Sequence, residues 1–231
     1  MAQKSEQTRQ VVLDTALRLF RQEGYAATTM RRIATEAGLS PSNAYYYFSG
    51  KDELVQELYR QLQVEHRQAA APGIEPGARL EVNLAHVLHR GLDTNAPYHA
   101  FGSTLLASAL APGSPVNPFG PDQAEAREAA TGLMAEVVRA SSGVPGGAIG
   151  ERLPHLLWLA YMGVTLFWVL DTSEEQRRTR VLVDGAAPLI SRVLRLSRLP
   201  VGRGLTEDAL GLLDRLTAGA EQAGEIGRAH V

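Results

Sequence analysis

Apolar residues recur along this chain at spacings of three and four, and no sustained period-two alternation bounded by hairpin turns interrupts them. The pattern predicts an all-α protein. Val12, Ala16, Leu19 and Phe20 mark one face of a helix from Ser5 to Glu23, which Gly24 ends. Thr28 or Thr29 then caps a short helix whose stripe is Met30, Ile33, Ala34 and Ala37, closed by Gly38. Ser40 followed by Pro41 reads as a cap with proline at the first helical position, so a third, very short helix opens at once. Ser49 with Asp52 resembles a capping box and starts a fourth, reaching about Ala70 with Leu54, Leu58 and Leu62 on one face.

The run Ala71-Pro72-Gly73-Ile74-Glu75-Pro76-Gly77 is dense in turn formers and is the expected boundary between a first domain, 1–70, and a second, 71–224. Beyond it Leu80, Leu84, Val87 and Leu88 define a helix, and another covers about Tyr98 to Leu110. A proline-spaced loop from Pro112 to Pro121 follows. Asp122 with Glu125 is expected to cap the next helix, which directs Leu133, Met134, Val137 and Val138 inward. After a glycine-rich stretch comes the apolar run Leu153–Leu170, and Thr172 with Glu175 is expected to cap a helix to Leu199, with a possible kink at Pro188. Leu205, Ala209, Leu212, Leu213 and Leu216 mark a final amphipathic piece, and 225–231 continue no stripe and are expected to be a non-native tail.

Composition narrows the picture without changing it. The chain has 231 residues, 45% of them hydrophobic, with a formal net charge of -2, which suits one large or two small globular domains. Zero cysteines exclude disulfides, thiolate metal sites and a cysteine nucleophile. The opening MAQKSEQTRQ has no apolar core of a secretory signal, so a cytoplasmic protein is expected. Leu153–Leu170 carries no Asp, Glu, Lys or Arg, but it is short for a span and lacks a basic flank, so no membrane partner is expected. Residues 1–67 hold nine basic and eight acidic groups against fourteen and seventeen in the remainder, a weak contrast whose sign suits a nucleic-acid end.

Two short helices joined by Gly38-Leu39-Ser40 form the pattern of a helix-turn-helix. With Met30, Ile33 and Ala34 buried and Ala44, Tyr45 and Phe48 packed behind them, Ser42, Asn43, Tyr46 and Tyr47 are left outward. Such groups suit a DNA groove: Asn reads adenine bidentately, Ser contacts several bases, and Tyr hydroxyls donate to phosphates.

The stretch VVLDTALRLFRQEGYAATTMRRIATEAGLSPSNAYYYFSGKDELV, Val11 to Val55, closely resembles the N-terminal DNA-binding domain of the TetR family of bacterial transcriptional regulators. The pieces that carry the resemblance are Ala16 with Leu19-Phe20, Gly24-Tyr25, Thr28-Thr29, Ile33-Ala34, Ala37-Gly38, Tyr45, Phe48 and Lys51 with Leu54. It implies a three-helix DNA-binding domain followed by a larger helical domain for ligand binding and dimerisation, and a homodimer that sets two recognition helices in successive major grooves of a palindromic operator. Carried over by position, Thr29 and Arg31 would flank the DNA backbone, Ser42, Asn43 and Tyr46 would face the groove, and Tyr47 and Lys51 would touch phosphates.

Competing signals are weaker. Tyr47 and Lys51 share the Y-x-x-x-K spacing of short-chain dehydrogenases, but no glycine-rich dinucleotide loop precedes them. His86 and His89, with Asp93 and His99 nearby, offer metal-type donors, yet an exposed helix face is the plainer reading, and no metal or cofactor is expected. No G-x-S-x-G motif or P-loop is present. In the second half, Phe101, His99, Met134, Trp158, Tyr161, Thr165 and Trp168 suit an apolar ligand cavity with a few polar groups. The expected protein is a ligand-responsive regulator, a repressor released by a small apolar molecule, dimeric through 153–170 and 172–199. The alternative is an all-α enzyme or metal-binding bundle.

Overall fold

The computed structural model describes residues 2–110 and 113–197, and every regular element among them is helical. Nine α-helices follow in order: α1 (Ala2–Glu23), α2 (Met30–Glu36), α3 (Pro41–Tyr47), α4 (Lys51–Ala70), α5 (Leu80–Asn95), α6 (His99–Ala109), α7 (Ala124–Ala140), α8 (Gly147–Leu170) and α9 (Arg177–Leu196). The expected helix around Leu205–Leu216 and the tail 225–231 lie outside the described residues.

The amphipathic stripes place the helices, and the buried side chains divide into two clusters. The first joins Val12, Leu13, Ala16, Leu19 and Phe20 of α1 to Ile33, Ala34, Ala44, Phe48, Leu54 and Leu58. It also takes in Phe101, Leu105 and Ala109 of α6 and Val116 from the following loop. The second is built from α5, α7, α8 and α9, with Leu84, Val87, Met134, Trp158, Tyr161 and Val183 at its centre. The helix α4 serves both, because Leu54 and Leu58 sit in the first cluster while Ala70 closes against the second. Between them the chain turns through a short 3₁₀ segment at Ala71–Gly73, and the segment after it is tied to the end of α7 by Gly77 N–H to Ala140 O (2.7 Å) and Ser142 N–H to Ala78 O (2.8 Å).

Several expected helix starts are corrected. The residue before α4 is Gly50 rather than Ser49, and the Ser49 N–H donates to the Glu53 carboxylate at 2.6 Å, so Glu53 rather than Asp52 closes that end. A 3₁₀ turn at Pro121–Gln123 leads into α7 without the expected Asp122 cap. The run expected to begin at Leu153 starts at Gly147 and carries Pro154 inside it. Pro188 lies within α9, as the expected helix through it requires. By length and composition α8 is able to cross a membrane, but Leu153, Leu157, Trp158, Tyr161, Val164 and Trp168 are buried in the second cluster.

The start of α9 departs furthest from the sequence pattern. Thr172 does not cap it; Glu175 and Gln176 take left-handed conformations (φ 50° and 51°) before α9 opens. The organising group is Asp171, whose Oδ1 accepts from the Ser173 N–H (3.0 Å) and hydroxyl (2.7 Å). Its Oδ2 accepts from the Thr179 N–H (2.8 Å) and hydroxyl (2.7 Å). Burial works against ionisation of this carboxyl, but the four donors outweigh it and hold Asp171 well below its ordinary value of 3.8. Because the folded-state value is depressed, the resulting stability is fully present above that ordinary value and is lost as pH falls through the window below it. Asp171→Ala is expected to lower the unfolding free energy by about 3 kcal/mol at neutral pH. Its deficit against the parent chain, read from urea midpoints, is expected to shrink as the pH is lowered from about 4 to about 2.

Candidate nucleic-acid interface and ligand pocket

The turn between α2 and α3 is set by backbone geometry. Gly38 adopts φ +70°, its N–H bonds Thr35 O (3.1 Å), and the Leu39 N–H reaches back to Ala34 O (2.9 Å). This pair of bonds is a Schellman closure with an apolar residue after the glycine, and Leu39 packs on the first cluster as that motif requires. Ser40 then caps α3, its hydroxyl accepting from the Asn43 N–H at 3.2 Å, and Pro41 supplies the first helical residue. Thr29 plays the same part for α2, accepting from the Arg32 N–H at 3.1 Å.

Because α3 has only two turns, its faces are sharply divided. Ala44 and Phe48 are fully buried, and Tyr47, expected outward, is instead half-buried against the same cluster because it completes their i, i+3, i+4 set. The opposite face presents Ser42, Asn43 and Tyr46, and Tyr46 is 78% exposed. Tyr45, expected to pack inward, is 52% exposed instead. One residue after Ala44 it lies about 100° around the helix, on the flank of the buried stripe. Tyr46 and Tyr47 meet edge to face at 5.1 Å, so the half-buried ring positions the exposed one.

The cations near this face differ in availability. Arg32 bridges Glu23 (2.9 Å) and Glu36 (3.0 Å), and Arg18 also pairs with Glu36 (2.8 Å), which knits α1 to α2. Arg31 is exposed and has no ion-pair partner among the described residues. Lys51 is committed inward: its Nζ donates to Tyr25 O at 2.8 Å and sits 4.3 Å from the centre of the Tyr25 ring, and partial burial pushes its ammonium below the ordinary lysine value. The Tyr25 hydroxyl donates to Asp52 at 3.0 Å. Sequence spacing gave no hint of this brace, which fastens the α1–α2 turn to the start of α4.

Of the seven residues expected around a ligand, Phe101 lies in the first cluster and Met134, Trp158, Tyr161 and Trp168 in the second. Phe101 is corrected most clearly: it faces α1, 6.1 Å from Phe20 between ring centres, within the first cluster. Its neighbour Gly102 lies on the other side of α6, where a Cβ would stand 3.3 Å from Val169 of α8. Met134, Tyr161 and Trp168 are packed in the second cluster. His99 donates to Trp168 O (2.9 Å), and the Thr165 hydroxyl turns back to Tyr161 O (2.9 Å). Burial pushes the Tyr161 phenol up to about 12, and its oxygen accepts from Asn95 at 3.1 Å. His86 and His89 are turned to Ala70 O (3.0 Å) and Asp184 (2.8 Å) respectively. Among the described residues no three His, Cys, Asp or Glu side chains are grouped to hold a metal.

Trp158 does line a pocket, of about 50 Å³, between α4, α7, α8 and the segment 114–121. Its walls include Val116, Ala130 and Met162, and Tyr59, Gln63 and Arg127 bring polar groups to it. These three residues escaped the sequence reading. For Arg127 a signal exists, because it extends the inward stripe of Ala130, Met134 and Val137 by one turn, a cation on an apolar face.

Two family models match the chain: "Bacterial regulatory proteins, tetR family" over residues 12–58, and "Tetracyclin repressor-like, C-terminal domain" over residues 83–210. The HTH-type transcriptional regulator AcrR of Shigella flexneri is 38% identical over 93 residues, 37% of this chain and 42% of that protein. BetI of Brucella abortus is 38% identical over 85 residues, 33% of this chain and 43% of its own length. The chain thus spans less than half of these curated relatives. Among solved structures, a TetR transcriptional regulator from Nitrosomonas europaea superimposes with a TM-score of 0.59 at 20% identity, covering 78% of this chain and 96% of its own. A regulator from Syntrophomonas wolfei gives 0.62 at 13% identity, covering 80% and 95%. Both share the fold described above.

The contrast between the two cations is testable without any ligand. Lys51→Met is expected to lower the unfolding free energy by about 1 kcal/mol, through loss of the Tyr25 carbonyl bond and the ring contact. Arg31→Ala is expected to stay within about 0.5 kcal/mol of the parent chain in the same urea titration.

Proposed function

The chain belongs to the TetR family of bacterial regulatory proteins, and on that premise we propose that it is a cytoplasmic, homodimeric repressor that binds a palindromic operator and is released by a small molecule. The observation that carries the reading is the exposed Ser42, Asn43 and Tyr46 face of α3, held rigidly from behind by Ala44, Tyr47 and Phe48. A short helix so presented fits the major groove, with Asn43 and Ser42 against base edges and Tyr46 at the groove wall. Thr29 and Arg31 approach one phosphate strand from the start of α2, and Tyr47 and Lys51 approach the other. Lys51 reaches it with the ammonium hydrogens that Tyr25 leaves unused.

The dimer is supported by an uncovered apolar row on the last two described helices. Leu166 and Leu170 of α8 and Leu189, Val193 and Leu196 of α9 are all exposed, although the opposite sides of both helices are buried. Pairing α8 and α9 with their symmetry mates covers that row in a four-helix bundle. Two-fold symmetry then sets half-sites about 34–36 Å apart, or a multiple of one DNA turn. For release, residues 1–70 form the DNA-binding part, and α4 carries a change in the second core towards α3. A coupling of about 1 to 3 kcal/mol would change operator affinity roughly 5- to 150-fold, and linkage requires DNA to weaken the ligand equally.

Mobility-shift titrations on genomic fragments test the DNA face. Asn43→Ala is expected to relax one base position by about 1 to 3 kcal/mol. Arg31→Ala is expected to weaken all fragments alike and to reduce the salt slope by about 1 per protomer. Binding unchanged in both variants would overturn the assignment. For the dimer, the parent chain is expected to sediment at twice the protomer mass at micromolar concentration and Leu189→Glu/Val193→Glu as a monomer; a monomeric parent contradicts the bundle.

A further inference from the structure

The pocket at Trp158 is too small for a drug-sized molecule, since about 50 Å³ holds a few waters and ligand sites usually run from about 300 Å³. One wall, however, is a separable piece. Residues 114–121 fold into consecutive turns closed by their own bonds: Asn117 N–H to Ser114 O (3.1 Å), Gly120 N–H to Asn117 O (2.9 Å) and Phe119 N–H to the Asn117 side chain (2.9 Å). The segment is therefore a strap that can shift as a unit. Among the described residues it is tied to the body by one ring contact, Phe119 edge-on to Trp158 at 5.4 Å, and by a handful of hydrogen bonds. Gln56 and Gln123 each donate to Pro115 O (3.0 Å), and one Arg127 nitrogen donates to both Pro118 O (2.9 Å) and Gly120 O (3.0 Å). Val116 plugs the first core at 1% exposure.

The pocket lining carries one cation, Arg127, and no carboxylate. Arg127 has no carboxylate partner among the described residues, and its bonded partners are the two strap carbonyls. The Tyr59 hydroxyl and the Gln63 amide also line the pocket and make no hydrogen bond to any described residue. His155, stacked at 5.2 Å on Trp158, adds no negative charge. Around these donors the walls are apolar: Trp158, Met162, Ala130 and Val116. An uncompensated guanidinium with spare donors at the head of an apolar slot is complementary to a carboxylate on a hydrocarbon or aromatic body.

We propose that this pocket, the ligand site of the regulator inferred above, takes an amphiphilic monocarboxylate, whose carboxylate replaces the strap carbonyls on Arg127 and whose apolar body lies along Trp158 and Met162. The exchange favours the ligand because a charge-assisted, two-toothed pair with a guanidinium is stronger than bonds to neutral carbonyls. An apolar body entering the slot pushes the strap aside, and a carboxylate that takes the Arg127 donors holds it aside, which withdraws Val116 from the first core. Ligand charge and release of DNA are thereby read by one residue.

The test uses the full chain in a Trp168→Phe background, where Trp158 is the single indole, with the neutral fluorophore N-phenyl-1-naphthylamine as probe. Energy transfer from Trp158 reports its binding. Decanoate is expected to displace the probe at roughly ten-fold lower concentration than 1-decanol at neutral pH. Arg127→Gln is expected to abolish that preference while the probe still binds, and Arg127→Lys, which keeps the charge but not the two-toothed geometry, to retain part of it. Equal displacement by acid and alcohol in the parent chain, or a preference that survives Arg127→Gln, overturns the carboxylate proposal and leaves the ligand-responsive reading standing. A probe that never quenches Trp158 overturns both.

Discussion

A helix of two turns has no stability of its own in water, since nucleation consumes most of what its few hydrogen bonds return. The recognition face proposed for this protein lies on such a helix. Everything that fixes the direction of Asn43 and Tyr46 must therefore come from the surface that Ala44, Tyr47 and Phe48 pack against. That surface is made by α2 and α1, inside a buried cluster to which α4 also contributes. Phe101, Leu105 and Ala109 from α6 and Val116 from the strap join the same cluster from behind α1, from parts of the chain more than forty residues further on. The α2–α3 turn, held by Gly38 and the Ser40 cap, fixes the angle at which the short helix leaves this support.

How much of this was legible in the sequence follows from which interactions are local. The stripes of α1, α4 and α5 and the caps at Thr29 and Ser40 are repeated or adjacent signals, and the structure reproduces them. The expected caps at Asp122 and Thr172 failed because a capping pattern states only that a side chain is able to close a helix. At α9 the work is done by Asp171, which collects donors from both sides of two left-handed residues that no pattern announces. Tyr45 was misplaced because a two-turn helix has too few residues to fix the phase of its stripe. Phe101 was assigned to the wrong core because a helix wedged between two cores has two apolar faces, and composition does not say which residue meets which neighbour. The pocket groups Tyr59, Gln63 and Arg127 come from separate helices, and only the stray cation on the α7 stripe left a trace.

Among the described residues, several charges are spent on pairs between helices. Glu57, which is buried, is caught between Arg9 (3.1 Å) and Arg60 (2.5 Å); burial opposes its ionisation, but the hydrogen bonds and charges of Arg60 and Arg9 prevail and keep it below the usual carboxylate range. Arg67 pairs with Glu136 from α7, and Arg18 and Arg32 share Glu36. These pairs stitch helices together around both cores. They also explain why a formal count of charges along the first 67 residues says so little about DNA. What matters is which cations remain uncommitted once the helices have packed, and Arg31 is one.

The seating of Phe101, Leu105 and Val116 bears on modularity. The turns after Ala70 look like a natural joint, and a cut there would seem to separate a reusable DNA-reading head from a replaceable sensor. Such a graft would leave those three side chains facing a stranger's surface and the head with an open gap in its packing. Cores lose roughly 24 cal/mol for each Å³ of unfilled cavity, so a chimaera made at residue 70 would begin life with a loosened α3. The interchangeable unit in this architecture is the head together with the complementary face of α6 and its strap, so any change in α6 or the strap is bound to the upkeep of the first core.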